Sequence, residues 1–176
     1  MLCVRSGAWS EEDWRKDFLR KMKRHTGRHG MNYESLTESS HDAWIHLYRG
    51  HAFSRETQIS YYLEGELTIM ELDMELRKRS KGLHGICDLM ALLCQRHGLE
   101  CEPTMRLGIT HSDIRKALTS MKGGRRLGTM LDDMVNRKQA PDMERTMAYF
   151  GLKLEPEHAS KEGEVKSGWL GLNLSN

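Results

Sequence analysis

The longest unbroken helical pattern of apolar and polar residues lies in the middle of the chain, over 58–80. Ile59, Leu63, Leu67, Met70 and Met74 follow one another at steps of four, four, three and four, the spacing of one face of a helix turning 3.6 residues per turn. Ile69, Leu72 and Leu76 add a second line. The stripe thereby widens until only a narrow polar ribbon is left, which predicts a central helix covered on most sides. Glu64, Glu66, Glu71 and Glu75 precede Arg77, Lys78 and Arg79, an order that suits a helix dipole positive at its start.

Shorter patterns flank it. Ser10 before Glu11, Glu12 and Asp13 reads as a helix start, with Trp14, Phe18, Leu19 and Met22 as the apolar face and an end by Gly27. A loop through Gly30 leads to Ser39 or Ser40, either of which can cap a short helix carrying Trp44, Ile45 and Leu47 or Tyr48, stopped at Arg49-Gly50. After the central helix ends at Ser80-Lys-Gly82, Ile86, Leu89, Met90, Leu92 and Leu93 mark another that closes at His97-Gly98. Pro103 lies in the connection that follows. Thr110-His-Ser-Asp113 caps a helix through Ile114, Leu118 and Met121, broken by Gly123-Gly124, and two more helices over 127–135 and 143–150 are separated by Ala140-Pro141. From Ala159 onward Ser, Lys, Glu and Gly dominate until Trp169-Leu-Gly-Leu-Asn-Leu174, which alternates like a strand. The expected fold is all-α, an irregular helical bundle over 1–158 with a short extended C-terminal tail over 159–176.

Composition narrows the class. A chain of 176 residues is about one domain long, and its 30% of charged residues exceeds the usual quarter, as in a soluble helical protein. The net charge of +2 is too small to argue for a nucleic-acid partner, and none is expected. Arg15, Lys16, Arg20, Lys21, Lys23, Arg24 and Arg28 do form a local basic excess, read as the solvated face of a surface helix. The run from Gly108 to Leu118, with Arg125-Arg126 beyond, has the flavour of a helix-turn-helix segment, but no stacked aromatic platform accompanies it. Cys3, Cys87, Cys94 and Cys101 are too few and too irregular for a disulfide scaffold, so reduced thiols are expected. Met1-Leu-Cys-Val4 meets Arg5 at once, and no apolar run approaches the length of a membrane span; the compartment indicated is cytoplasmic, with no membrane partner.

Two segments carry a resemblance. Ser60-Tyr-Tyr-Leu-Glu-Gly65 followed by Leu72-Asp-Met-Glu-Leu-Arg77 resembles the Ser-Tyr-Tyr-x-Lys-Gly … Leu-Asp-x-x-Ile-Arg segment of the glycyl aminopeptidase family of zinc metallopeptidases. Upstream, Ser39-Ser40-His-Asp42-Ala43-Trp44-Ile45-His-Leu-Tyr48 is similar to that family's Ser-Ser-x-Asp-Ala-Trp-Ile-x-x-Tyr. Weaker likeness runs from Arg5-Ser-Gly7 to Trp169-Leu170-Gly171, the latter like the opening of the PDZ domain that usually follows the catalytic one. The resemblance implies the C-terminal helical subdomain of a thermolysin-like catalytic domain. It also implies that the family's zinc-binding His-Glu-x-x-His helix and its more distant glutamate lie upstream of the matching segment. The 176 residues contain no such motif. The expectation is therefore no cofactor in this chain, zinc in the parent family, and the zinc-binding half of the domain as partner, with a peptide substrate in the intact enzyme. The chain alone is expected to be inactive; the alternative is a catalytically inert helical interaction module derived from that domain.

By the same resemblance Tyr62 is the catalytic residue, a neutral hydroxyl that stabilises the oxyanion formed when water attacks the scissile carbonyl. Tyr61 and Gly65 are the substrate-binding candidates. Successive helical side chains point about 100° apart, so only one of the two tyrosines is expected to face a given cleft, and Gly65 would let a backbone come close. Read without the family, both tyrosines pack at the edge of a buried helix. The family's lysine is Glu64 here, a reversal of charge. No metal ligands are assigned: His25-x-x-x-His29 has ligand spacing but reads as two surface histidines, and Cys94, His97 and Cys101 lack a fourth partner. Cys87 and Cys94 are expected on one buried helix face, with Asp42 as a helix cap and Trp44 as a core anchor.

Overall fold

The computed structural model describes Val4 and residues 6–46, 48–99 and 108–154. Helix α1 (Glu11–Thr26) opens as expected: the Ser10 hydroxyl accepts from the Asp13 N–H, and the Asp13 carboxylate accepts the Ser10 N–H in return. The Ser10 hydroxyl also donates to that carboxylate at 2.6 Å, and this bond first, then the one from the Ser10 N–H, holds the Asp13 carboxyl below its ordinary range. The helix buries Phe18 and Met22, with Trp14 stacked on Phe18 at 5.3 Å between ring centroids, but leaves Leu19 exposed.

The next helix departs from the expectation. After a 3-10 turn at Gly30–Asn32, α2 (Leu36–His41) begins at Ser35, whose hydroxyl accepts from the Glu38 N–H while Glu38 takes the Ser35 N–H. This reciprocal box satisfies two of the N–H groups a helix start leaves open, which neither Ser39 nor Ser40 does. Ser39 is instead buried within the helix and donates to the Ile59 carbonyl at 3.2 Å. Asp42 is a helix cap as expected, at the carboxy end of α2, but Trp44 is 80% exposed, not a core anchor. A short α3 (Ser54–Thr57) follows.

Helix α4 (Tyr61–Ser80) is the hub, packed against α1 and α2 and against three later helices: α5 (Ile86–Cys94), α7 (Leu127–Asn136) and α8 (Met143–Tyr149). A π turn at Gln95–Leu99 follows α5, and α6 (His111–Ser120), opened by a Thr110–Asp113 box, packs between α5 and α7. The amino half of α4 supplies Leu63 and Leu67 to a cluster with Phe18, Met22, Met143 and Met147. Its carboxy half supplies Leu72 and Leu76 to a second cluster with Leu89, Leu93, Leu118, Leu127 and Met134. Ile69 of the second apolar line is 41% exposed, and Ile59 is buried just ahead of the helix.

The narrow polar ribbon of α4 is not a solvated one. Glu71 is 2% exposed and accepts from Arg137 at 3.0 Å and Arg145 at 3.5 Å, while Glu75 takes Arg79 and Arg145, both at 3.0 Å. These pairs tie the chain around α8 to α4, and removing either partner would leave a buried charge uncompensated. Gly123 sits against the end of α4 at φ 86°, where an added Cβ would stand 2.6 Å from the Ser80 nitrogen, so the turn after α6 needs a residue without one.

Cys3, Arg5, Leu47, Cys101, Pro103 and the tail over 159–176, with its strand at Trp169 to Leu174, lie outside the described residues. Among the described residues there is no strand, and no helix is long and apolar enough to cross a membrane.

Candidate functional site

The amino end of α4 is fixed from below. The Glu34 carboxylate accepts the Ile59 N–H at 3.1 Å, and Gly30 lies so close to the strand-like Gln58 that a Cβ there would come within 2.7 Å of the Gln58 carbonyl carbon. With residues 58–60 so held, the chain presents Tyr61 and Tyr62 as the first helical residues.

Tyr62 is 64% exposed, and its ring centroid is 4.2 Å from that of Tyr61. The two rings lean together, yet of the pair only Tyr62 lines the adjacent pocket. The 100° step separates Cβ directions, and at a helix start no preceding turn constrains the rings from leaning together. Tyr48 joins them: the neighbouring hydroxyls of Tyr61, first, and Tyr48 favour the Tyr62 phenolate and lower its phenol below the ordinary range. Tyr61 is pushed well above its own, chiefly by Tyr62 and then by burial and Tyr48. Tyr48 is 57% exposed and stacks on Trp44 at 5.2 Å, so the four rings form one aromatic surface.

Beside Tyr62 opens a pocket of about 480 Å³ lined by Arg20, Lys21, Arg24, Ser60, Tyr62, Leu63 and Glu66. The basic excess of α1 is therefore partly a pocket wall, not only a solvated face. Lys21 spans Asp17 at 2.9 Å and Glu66 at 2.6 Å; burial pulls its ammonium down, but the two carboxylates raise it overall. Gly65 is half-buried, and a Cβ there would meet only Leu36 at 4.0 Å, so no described backbone exploits the glycine.

Glu64 faces the opposite way. Its side chain is 4% exposed and its two oxygens stand 2.9 and 3.1 Å from Nδ1 of His25, itself 9% exposed. His25 is thus a buried tie between α1 and α4, not a surface histidine, while His29 is exposed. The reversed charge lies in the core, off the tyrosine surface. Cys87 and Cys94 are both exposed, because α5 turns Leu89 and Leu93 inward and leaves the cysteines outside. Among the described residues no three His, Cys, Asp or Glu side chains converge as a metal site.

The sequence missed Tyr48 as a partner of Tyr62 and the His25–Glu64 pair. The basic run and the Tyr48 motif position were both visible, but nothing in their spacing names the surface they share.

This arrangement falls inside a peptidase-family match. The model of the M61 glycyl aminopeptidase family matches residues 1–68, a span that holds Trp44, Tyr48, Tyr61 and Tyr62 and ends within α4. The resemblance drawn from the Trp44 and Tyr62 segments is borne out. No curated protein and no solved structure matches the chain.

Proposed function

We propose that this chain is the C-terminal helical portion of a zinc metallopeptidase catalytic domain of the aminopeptidase type, in which Tyr62 donates its hydroxyl to the oxyanion of the transition state. Zinc would supply the activated water in the intact enzyme. The described residues do not offer a ligand set for it, so this reading places the ligands elsewhere and gives these 176 residues no turnover of their own. The observation that carries the reading is the Tyr62 phenol: exposed on an aromatic surface, within the family match, and grouped with the phenol of Tyr61 at 4.2 Å between ring centroids.

The residues act by position. Tyr62 is held by the helix start at Ser60, and Tyr61 and Tyr48 orient its oxygen so that the O–H points away from them toward an incoming carbonyl. As the carbonyl oxygen gains charge, the hydrogen bond from Tyr62 strengthens, which stabilises the transition state more than the substrate. The partner is the zinc-binding half of the domain, seated on the surface of Trp44, Tyr48, Tyr61 and Tyr62.

The test joins this chain to the zinc-binding half of a full-length relative. Tyr62→Phe should keep substrate binding and lower turnover by roughly a hundred- to a thousandfold. Tyr61→Phe removes one hydroxyl beside Tyr62 and should cost about fivefold, as for a single hydrogen bond. Full turnover in Tyr62→Phe would end the catalytic reading and leave an interaction module.

A further inference from the structure

The pocket beside Tyr62 contains donors that nothing among the described residues uses. Of its three cations, Lys21 is shared between Asp17 and Glu66, and Arg20 is paired with Asp17. Arg24 has no hydrogen-bond or ion-pair partner among the described residues, and it is exposed along the pocket wall. Ser60 is only 8% exposed and lines the same pocket, yet its hydroxyl makes no cap bond to the helix it precedes and meets no other partner among the described residues. Behind it lie the first N–H groups of the 20-residue α4, where among the described residues the only bond to Ser60 is the Glu64 N–H to its carbonyl at 2.9 Å. The N–H groups of Tyr61, Tyr62 and Leu63 are left open, as a helix start leaves them.

The hydroxyl of a largely buried serine, open amide N–H groups at the positive end of a long helix and an unpaired guanidinium are three kinds of donor with no acceptor among the described residues. Together they suit an oxyanion, through the helix dipole and a charge-assisted bond from arginine. The volume of about 480 Å³ is that of a site for one or two residues of a peptide. Glu66 does not spoil it, because its carboxylate is taken up by Lys21. The pocket shares Tyr62 with the aromatic surface, so an anion bound there stands next to the reacting carbonyl of the proposed mechanism.

We infer that this pocket binds a carboxylate of the peptide substrate, from its C-terminus or from an Asp or Glu side chain, with Arg24, the Ser60 hydroxyl and the first N–H groups of α4 as donors. The enzyme would then favour short or acidic peptides. The inference rests on the peptidase reading for calling the ligand a peptide, but the binding itself requires neither zinc nor turnover.

It can be tested on the chain as it stands, by NMR titration with Gly-Ala-Ala, its C-terminal amide, and Gly-Ala-Glu amide, reading the Arg24 Nε–H and the amides of Ser60 to Leu63. Saturable shifts are expected with Gly-Ala-Ala or with Gly-Ala-Glu amide, the pair separating a C-terminal from a side-chain carboxylate, and none with the uncharged amide. Arg24→Gln should weaken binding at least tenfold and Ser60→Ala severalfold. Arg15→Gln, which removes the same charge from α1 outside the pocket, should change it less than twofold. Equal response to all three peptides, equal loss in Arg24→Gln and Arg15→Gln, or saturation by inorganic phosphate without any response to the peptides would overturn the inference. Such a failure leaves the Tyr62 reading intact, since that stands or falls on Tyr62→Phe turnover.

Discussion

Glu64→Lys puts the family's own residue back and should damage this chain. The Glu64 side chain is 4% exposed and holds the Nδ1 of His25, 9% exposed, at 2.9 Å. A lysine there either buries its ammonium against the imidazole or tears the contact between α1 and α4 to reach water. Removing one partner of a buried pair costs about 3–5 kcal/mol, and each kcal/mol lowers the melting temperature of a chain this size by roughly 2–4 °C. The expected fall is therefore about 10 °C in a circular-dichroism melt, with a matching shift of the urea midpoint at unchanged slope. Glu64→Gln keeps a hydrogen bond to the imidazole and should lose only about 1 kcal/mol. The double variant His25→Asp with Glu64→Lys should recover part of the loss, a coupling that a double-mutant cycle measures directly. A melting point for Glu64→Lys within 2 °C of the unaltered chain would show that residue 64 is not buried against His25, and the account of the reversed charge would fail with it.

Three other experiments probe separate parts of the structure. Gly123→Ala should destabilise by about 2 kcal/mol or more by chemical denaturation, because the methyl meets the backbone of Arg79 and Ser80 at a positive φ; an unchanged midpoint would contradict that close approach. Ser35→Ala should cost about 1 kcal/mol by loss of the α2 cap while Ser40→Ala costs almost nothing, and the reverse order would restore the later helix start. In an alkaline titration followed by tyrosinate absorbance, Tyr62 should ionise below the ordinary phenol range and Tyr61 last; Tyr61→Phe should move Tyr62 back up, since the Tyr61 hydroxyl favours the Tyr62 phenolate. A lowest transition that persists unshifted in Tyr61→Phe would show that this hydroxyl does not set it.

Particular residues show where sequence reading held. The ends of α1, α4 and α6 were legible because their determinants are local: Ser10 with Asp13, Lys81 and Gly82, and Thr110 with Asp113 all act within one turn. The start of α2 is equally local, in Ser35 and Glu38, but the apolar run Trp44, Ile45 points to a cap four or five residues further along, at Ser39 or Ser40. Trp44 looks like core by type alone, and hydrophobicity of a single residue says nothing about which side of the chain is covered.

By itself, then, the sequence determined that the chain is helical, that 58–80 forms its centre, and that Tyr62 stands in a peptidase-like motif, since periodicity, caps and motif spacing are properties of neighbours along the chain. Only the tertiary structure decided which charges are buried and which rings meet. Glu64 finds His25 across 39 positions and Glu71 finds Arg137 across 66, while the basic wall of α1 comes to lie beside Tyr62. A periodic pattern specifies the face of a helix, but the partner of each face depends on how helices far apart in sequence share a limited core, and no local spacing encodes that choice.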